Sequence, residues 1–278
     1  MNVVPGYGPT AGGALVDHPK VDKIAFTGST EVGKLIQSNG AKTLKRVSLE
    51  LGGKSPLVVT ENYSLEKAAF IAHLGCFFNM GQCCCGATRT YVQESVYDKF
   101  IEEAVKIAKS KVVGSPFDES TSQGPQIDAE QTSKIIDLIE SGKKQGARLV
   151  TGGKRVDKKG YFVEPTIFAD VDDNMRIARE EIFGPVQQVF KYKTLDEVIK
   201  RCNDTNYGLA AGILTNNIDQ AMRFVSQVRA GTVWVNNYLS CSARAPFGGY
   251  KESGIGRECG EDGLHEYCEI KTVCIQMD

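Results

Sequence analysis

Histidine and tryptophan are scarce, neither sign of charge dominates, and no long apolar run is present. The 278 residues hold three histidines, one tryptophan and a net charge of −1. Near-neutrality removes the electrostatic case for nucleic acid or an anionic membrane as partner. No apolar stretch approaches the ~20 residues a membrane helix needs. There is no internal repeat and no low-complexity segment. The opening Met1-Asn2-Val3-Val4-Pro5-Gly6-Tyr7-Gly8-Pro9 has neither the pattern of a signal peptide nor that of an amphipathic transit peptide. It reads instead like the middle of a domain entered at the end of a strand, as expected of a fragment or truncated form.

Cysteine is what the chain has in excess. There are nine, at 76, 83, 84, 85, 202, 241, 259, 268 and 274. An odd, scattered set in a chain this large implies reduced thiols in a cytosol-like compartment, not a disulfide framework. Contiguous cysteines point in divergent directions, the spacing is not C-x-x-C, and only His18, His73 and His265 are available to complete a set, so no metal is expected. Three of the thiols are consecutive, in Phe77-Phe78-Asn79-Met80-Gly81-Gln82-Cys83-Cys84-Cys85-Gly86, which makes this segment the candidate for nucleophilic chemistry.

The apolar fraction of 41% and charged fraction of 24% are those of a globular protein. Strand-like runs at 21–26, 44–51, 56–59, 90–93, 147–151, 186–192, 210–214 and 232–236 alternate with helical spacing at 65–74, 97–110, 129–145, 195–203 and 219–228. A short helix is expected at 174–179. The alternation predicts βαβ units and a largely parallel sheet. Lys158-Lys159-Gly160 reads as a solvated loop, and Ala245 to Gly254 as a long glycine-rich loop of the kind that often carries function. The tail from Tyr267 to Met277 alternates, with an uncharged face of Cys268, Ile270, Thr272, Cys274 and Gln276, as in a strand that pairs with something.

Two further stretches carry chemistry. Val21 to Phe26 leads into Thr27-Gly28-Ser29-Thr30-Glu31-Val32-Gly33, where Ser29 or Thr30 caps a helix. A strand, a glycine turn and a helix N-terminus together make an anion site. The spacing Gly28-x-x-x-x-Gly33 is not the dinucleotide fingerprint, however, and an ordinary strand-to-helix turn reads the same way. Glu50, between Leu49 and Leu51 and just before Gly52-Gly53, is either a carboxylate with a raised pKa, suited to general-base work, or a solvent-facing residue of the alternation.

Several motifs together resemble the NAD(P)-dependent aldehyde dehydrogenases of the cytosolic and mitochondrial broad-substrate class, in their C-terminal portion. They are Phe26 to Gly33, Leu49-Glu50-Leu51-Gly52-Gly53-Lys54-Ser55-Pro56, Phe77 to Gly86, Glu181-Ile182-Phe183-Gly184-Pro185 and Pro246 to Gly254. The resemblance implies a partial Rossmann-like cofactor-binding segment (residues 1–52), an α/β catalytic domain (53–252) with a largely parallel sheet, and a C-terminal return segment with an oligomerisation strand (253–278). It implies Cys84 as nucleophile, with Cys83 and Cys85 as packing neighbours, and Glu50 as base. It places Gly28, Ser29, Gly33, Glu181 and Phe183 at NAD (or NADP), and Phe78 and Phe247 along the aldehyde's path.

Dimers or tetramers and a cytoplasmic location are implied as well, with the mitochondrion as the alternative. Family members carry a long additional portion before the point where this chain starts, including part of the nucleotide-binding sheet, so weak cofactor binding is the expectation. The competing reading is a catalytically inactive structural or assembly protein of the same ancestry. A cysteine hydrolase lacks a histidine in a suitable motif.

Overall fold

The computed structural model describes residues 1–156 and 159–278. Lys159 is exposed, as a solvated loop requires, while Lys158 lies outside the described residues. The chain opens with a π-helical turn (Gly8–Gly12) that runs directly into a short helix α1 (Gly13–Asp17), so the expected entry from a strand is not what the structure shows.

Strand β1 (Lys23–Thr27), helix α2 (Thr30–Gly40) and strand β2 (Arg46–Glu50) follow. β1 and β2 pair in parallel, Thr27 opposite Glu50. Ser29 sets the start of α2: its backbone is extended and its Oγ accepts from the Val32 N–H at 3.3 Å. Ser29→Ala should cost about 1 kcal/mol of unfolding free energy, read from a urea titration.

The larger sheet is built from β3 (Pro56–Val59), β4 (Arg89–Gln93), β5 (Arg148–Thr151), β6 (Thr166–Ala169), β7 (Val186–Tyr192), β8 (Ala210–Leu214) and β9 (Thr232–Val235). Their order is β5-β6-β7-β4-β3-β8-β9, and every pairing is parallel except β5–β6. Helices α3 (Leu65–Phe77) and α4 (Tyr97–Lys109) cover one face. Helices α5 (Ala129–Lys144), α6 (Arg176–Arg179), α7 (Leu195–Asn203) and α8 (Ile218–Gln227) supply the other. Strand periodicity sorts the core: Leu57 and Val59 face α3 and α4, whereas Val58 faces the opposite layer. Strands buried on both faces read as continuous apolar runs, which is why Leu57, Val58 and Val59 are all fully inaccessible.

A two-residue strand, β10 (Gly254–Ile255), returns to β2 and pairs antiparallel with it, and helix α9 (Gly260–His265) follows. Beyond α9 the expected terminal strand does not form. Residues 267–278 have no regular pairing among the described residues, and Ile270 is 98% exposed. A strand exists only with a partner, and what touches this segment is Arg46, which donates to the carbonyls of His265 and Cys268 and to Glu269, and Lys23, whose Nζ lies over the Tyr267 ring. No helix among the described residues is long and apolar enough to cross a membrane.

Candidate active site

The candidate residues collect between two sheet ends. Thr27 and Glu50 end the parallel strands of the small sheet. The segments entering β3 (Gly52 to Ser55), β4 (Gln82 to Thr88) and β7 (Glu181 to Pro185) all lie at the amino ends of the large sheet. Open α/β sheets more often place ligands at the carboxyl ends. Here the small sheet supplies that carboxyl end, and the large one closes the crevice with its entry loops.

The loop that carries the three cysteines is held in an unusual backbone. Asn79, Met80 and Gly81 have φ of 48°, 58° and 75°, three consecutive left-handed residues. Strain of this kind persists where surroundings over-determine it. The Asn79 side chain donates to the Gln82 carbonyl (3.0 Å), the Gln82 N–H donates back to Asn79 (3.0 Å), and Gln82 Oε1 accepts from the Ile127 N–H (2.9 Å). A side chain at Gly81 would collide with the Gly184 carbonyl, so this glycine lets the Glu181–Pro185 segment press against the loop.

Cys84 follows, half-buried, with its carbonyl packed so closely on Gly53 that no side chain fits there. Its backbone N–H makes no hydrogen bond among the described residues, leaving it free for a developing oxyanion. Hydrogen bonding from the Cys85 thiol draws the Cys84 thiol below its usual range, against burial and the negative charge of Glu181. Cys83 shares that donor, with its sulfur 3.6 Å from that of Cys85, and is lowered to about 7. Cys85 is raised by the same bonds and is buried, as a packing residue should be. Thiol acidity therefore does not separate Cys84 from Cys83. The contact of the Cys84 carbonyl with Gly53 does.

Glu50 is buried at 6% exposure, so it does not face solvent. Neither carboxylate oxygen has a hydrogen-bond partner among the described residues. Burial first, then the charge of Glu258, pushes its pKa up to about 8, with Arg257 pulling the other way. A side chain at Gly248 would come 2.8 Å from Glu50 Oε1, so the carboxylate is aimed at the Pro246–Gly254 loop. Neither Glu50 oxygen is hydrogen-bonded to Cys84, so the structure does not join the expected base and nucleophile directly. Arg257 and Glu258, missed in the sequence, become visible only through the return of the chain to β2.

Glu181 Oε1 accepts from the Gly53 N–H at 3.0 Å and its other oxygen lies against Gly52, while burial raises its pKa. Phe183 adopts φ 54° beside it. Ser29, Thr30, Glu181, Thr205, Tyr207 and Glu252 border a cleft of about 610 Å³. The N–H groups of Thr30 and Glu31 make no hydrogen bond among the described residues and sit at the opening of α2. Size, polar lining and free helix N–H groups fit a dinucleotide.

Gly28 donates to the Glu50 carbonyl (3.0 Å), so its N–H is taken. Gly33 is buried with Leu51 packed where a side chain would stand, and its N–H bonds to Ser29, which gives it a packing role away from the cleft. Phe247 packs on the same core as Cys84. Phe78 is 54% exposed.

This arrangement and its sequence place the chain in a known class: residues 1–273 match the aldehyde dehydrogenase family, and the chain belongs to it. Among its relatives, aldehyde dehydrogenase 1A1 of Bos taurus is 59% identical over all 278 residues, and cytosolic aldehyde dehydrogenase 1 of Rattus norvegicus is 58% identical. The chain spans about half the length of these curated relatives, 56% in each case. An NAD+ complex of aldehyde dehydrogenase from Bacillus cereus superposes with a TM-score of 0.97 at 45% identity, covering 99% of this chain and 56% of that one.

Proposed function

We propose that the chain carries the chemical part of an aldehyde-oxidising site. The carrying observation is the Cys84 carbonyl seated on the Gly53 turn, with a backbone N–H that makes no hydrogen bond among the described residues and a thiol drawn below its usual range. Cys84 as thiolate attacks the carbonyl carbon of a small-molecule aldehyde, and its N–H holds the resulting oxyanion. A preorganised donor of this kind is worth about 3 kcal/mol in the transition state. Bound NAD, or NADP, supplies the hydride acceptor, and the residues that would hold it are Ser29, Thr30, Glu181 and Phe183. The thioester left on Cys84 is hydrolysed by a water that Glu50 deprotonates. Its lack of a direct hydrogen bond to Cys84 suits a base that works through water, and a carboxylate poised near neutrality suits proton abstraction. Phe247 and Phe78 line the aldehyde's approach.

The same reading divides the chain into a cofactor segment (1–52), a catalytic unit (53–252) and a return segment (253–278) that seats against another copy in a homo-oligomer. A cytoplasmic location agrees with the rat relative's designation.

Thiol labelling tests the proposal. Substoichiometric iodoacetamide should modify Cys84 ahead of the other eight cysteines, with Cys83→Ser leaving the preference intact and an aldehyde protecting the site. Uniform labelling, or labelling centred on Cys83, overturns it.

A further inference from the structure

The turn of three cysteines is held from outside by a buried tyrosine. Gly86 donates its N–H to the Cys83 carbonyl at 3.0 Å, which closes a tight turn with Cys84 and Cys85 at its centre. Both central residues have their carbonyls fixed from beyond the turn. That of Cys84 packs on Gly53, and that of Cys85 accepts from the Tyr238 hydroxyl at 2.8 Å, across 153 positions of sequence. No backbone N–H reaches the Cys85 carbonyl among the described residues, so the tyrosine is its donor.

Tyr238 is built as a fixed post. It follows β9 and is 5% exposed. Its ring leans on Trp234, with centroids 4.5 Å apart. Glycines make room for it on two sides: a side chain at Gly75 of α3 or at Gly212 of β8 would come 2.9 Å from a ring carbon. Burial holds the phenol well above its ordinary range, so the hydroxyl keeps its proton wherever thiols titrate. The next residue, Leu239, packs on the same core as Cys83 and Cys84. Within the turn, the Cys85 sulfur lies 3.6 Å from that of Cys83. A thiol held in that position donates to its neighbour and favours the neighbour's thiolate.

We propose that Tyr238 is a positioning residue: its hydroxyl locks the Cys85 carbonyl, and through it the Cys83–Cys84–Cys85 turn that presents the nucleophile. That role rests on the active-site reading above, yet the hold of one hydroxyl on thiol reactivity is measurable whether or not the chain turns over an aldehyde. Tyr238→Phe removes the hydroxyl and keeps the packed ring. Without the lock the turn loosens and the Cys85 thiol leaves its contact with Cys83. The neighbouring thiols then return toward ordinary acidity.

The test is the iodoacetamide alkylation rate of each cysteine in the full chain from about pH 6 to about pH 9.5, which spans ordinary thiol ionisation. Peptide mass spectrometry reads it, with exposed Cys274 as internal standard. At pH 7, Cys84 and Cys83 of Tyr238→Phe should label about fivefold more slowly than in the parent, the equivalent of one hydrogen bond lost. Their midpoints should move to higher pH, and the difference should close as thiolate comes to dominate. Simple loosening has the opposite sign, since an opened loop labels faster at every pH.

Unchanged profiles, or faster labelling of the triplet, overturn the proposal. So does new labelling of Cys76 and Cys202, both buried, which would show that the hydroxyl serves the whole fold and not the turn. A parent in which Cys84 does not label first counts against the enzymatic reading alone, because variant and parent are compared thiol by thiol.

Discussion

Arg89→Met is expected to lower the unfolding free energy by about 3–5 kcal/mol, since it strands several buried carbonyls together with the packing of a long side chain. Arg89 is 3% exposed and makes no ion pair among the described residues. The Tyr91 hydroxyl (3.2 Å) and three backbone oxygens hold the guanidinium instead: Nε donates to Lys54, one terminal nitrogen to Arg201 (3.2 Å) and the other to Cys202 (2.9 Å). The last two are carbonyls in the final turn of α7, at the negative end of its dipole; that of Arg201 also accepts from the Asp204 N–H (3.2 Å), and that of Cys202 has no backbone donor among the described residues. A planar fork reaches all three at once, which an ammonium cannot. Arg89→Lys should therefore recover only part of the loss. Guanidinium titrations at pH 7 measure both variants, and a loss below about 1 kcal/mol in Arg89→Met would show that water replaces the fork.

Glu50→Gln is expected to change the pH dependence of stability more than stability at any one pH. The native carboxyl keeps its proton up to about 8, whereas the unfolded one loses it near 4.5. Between those values the native state binds more protons, so the parent loses stability as pH rises through the window. Linkage sets an upper limit of about 5 kcal/mol, which residual solvent reduces to about 2 kcal/mol. Glutamine does not titrate. The variant should thus gain on the parent by that amount between pH 5 and pH 9, when each is unfolded by urea at both. A pH-independent difference would mean that native Glu50 ionises like an exposed carboxylate.

Periodicity made the large sheet legible because its strands are apolar on both faces and its helices carry one polar side. β6 escaped notice: Thr166 to Ala169 is four residues long and has no polar alternation, although all four are buried. β10 escaped for a different reason. Two residues after a glycine-rich loop carry no pattern, and only the pairing with Leu49 and Glu50 defines them as a strand. The tail failed in the opposite sense, since alternation gives a strand's faces without supplying its partner. The cysteine run stood out by residue type and neighbours, whereas the resemblance singled out Cys84 within it and Glu50 as base. Lys54, 1% exposed, stood in the Glu50 motif unremarked, because burial of a lysine depends on what packs over it.

The closure of the small sheet has a kinetic side. Ser253 Oγ donates to the Gly52 carbonyl (2.7 Å) across 201 positions of sequence, and the neighbouring Gly254 pairs with Glu50. Contacts of such long range require loop closure before they repay it, so they form late and open early. The large sheet can assemble while Glu50 is still wet. Its dry, proton-holding environment is then a product of the last folding step, and partial opening from that side would return the carboxyl to solvent before disturbing the Cys84 thiol.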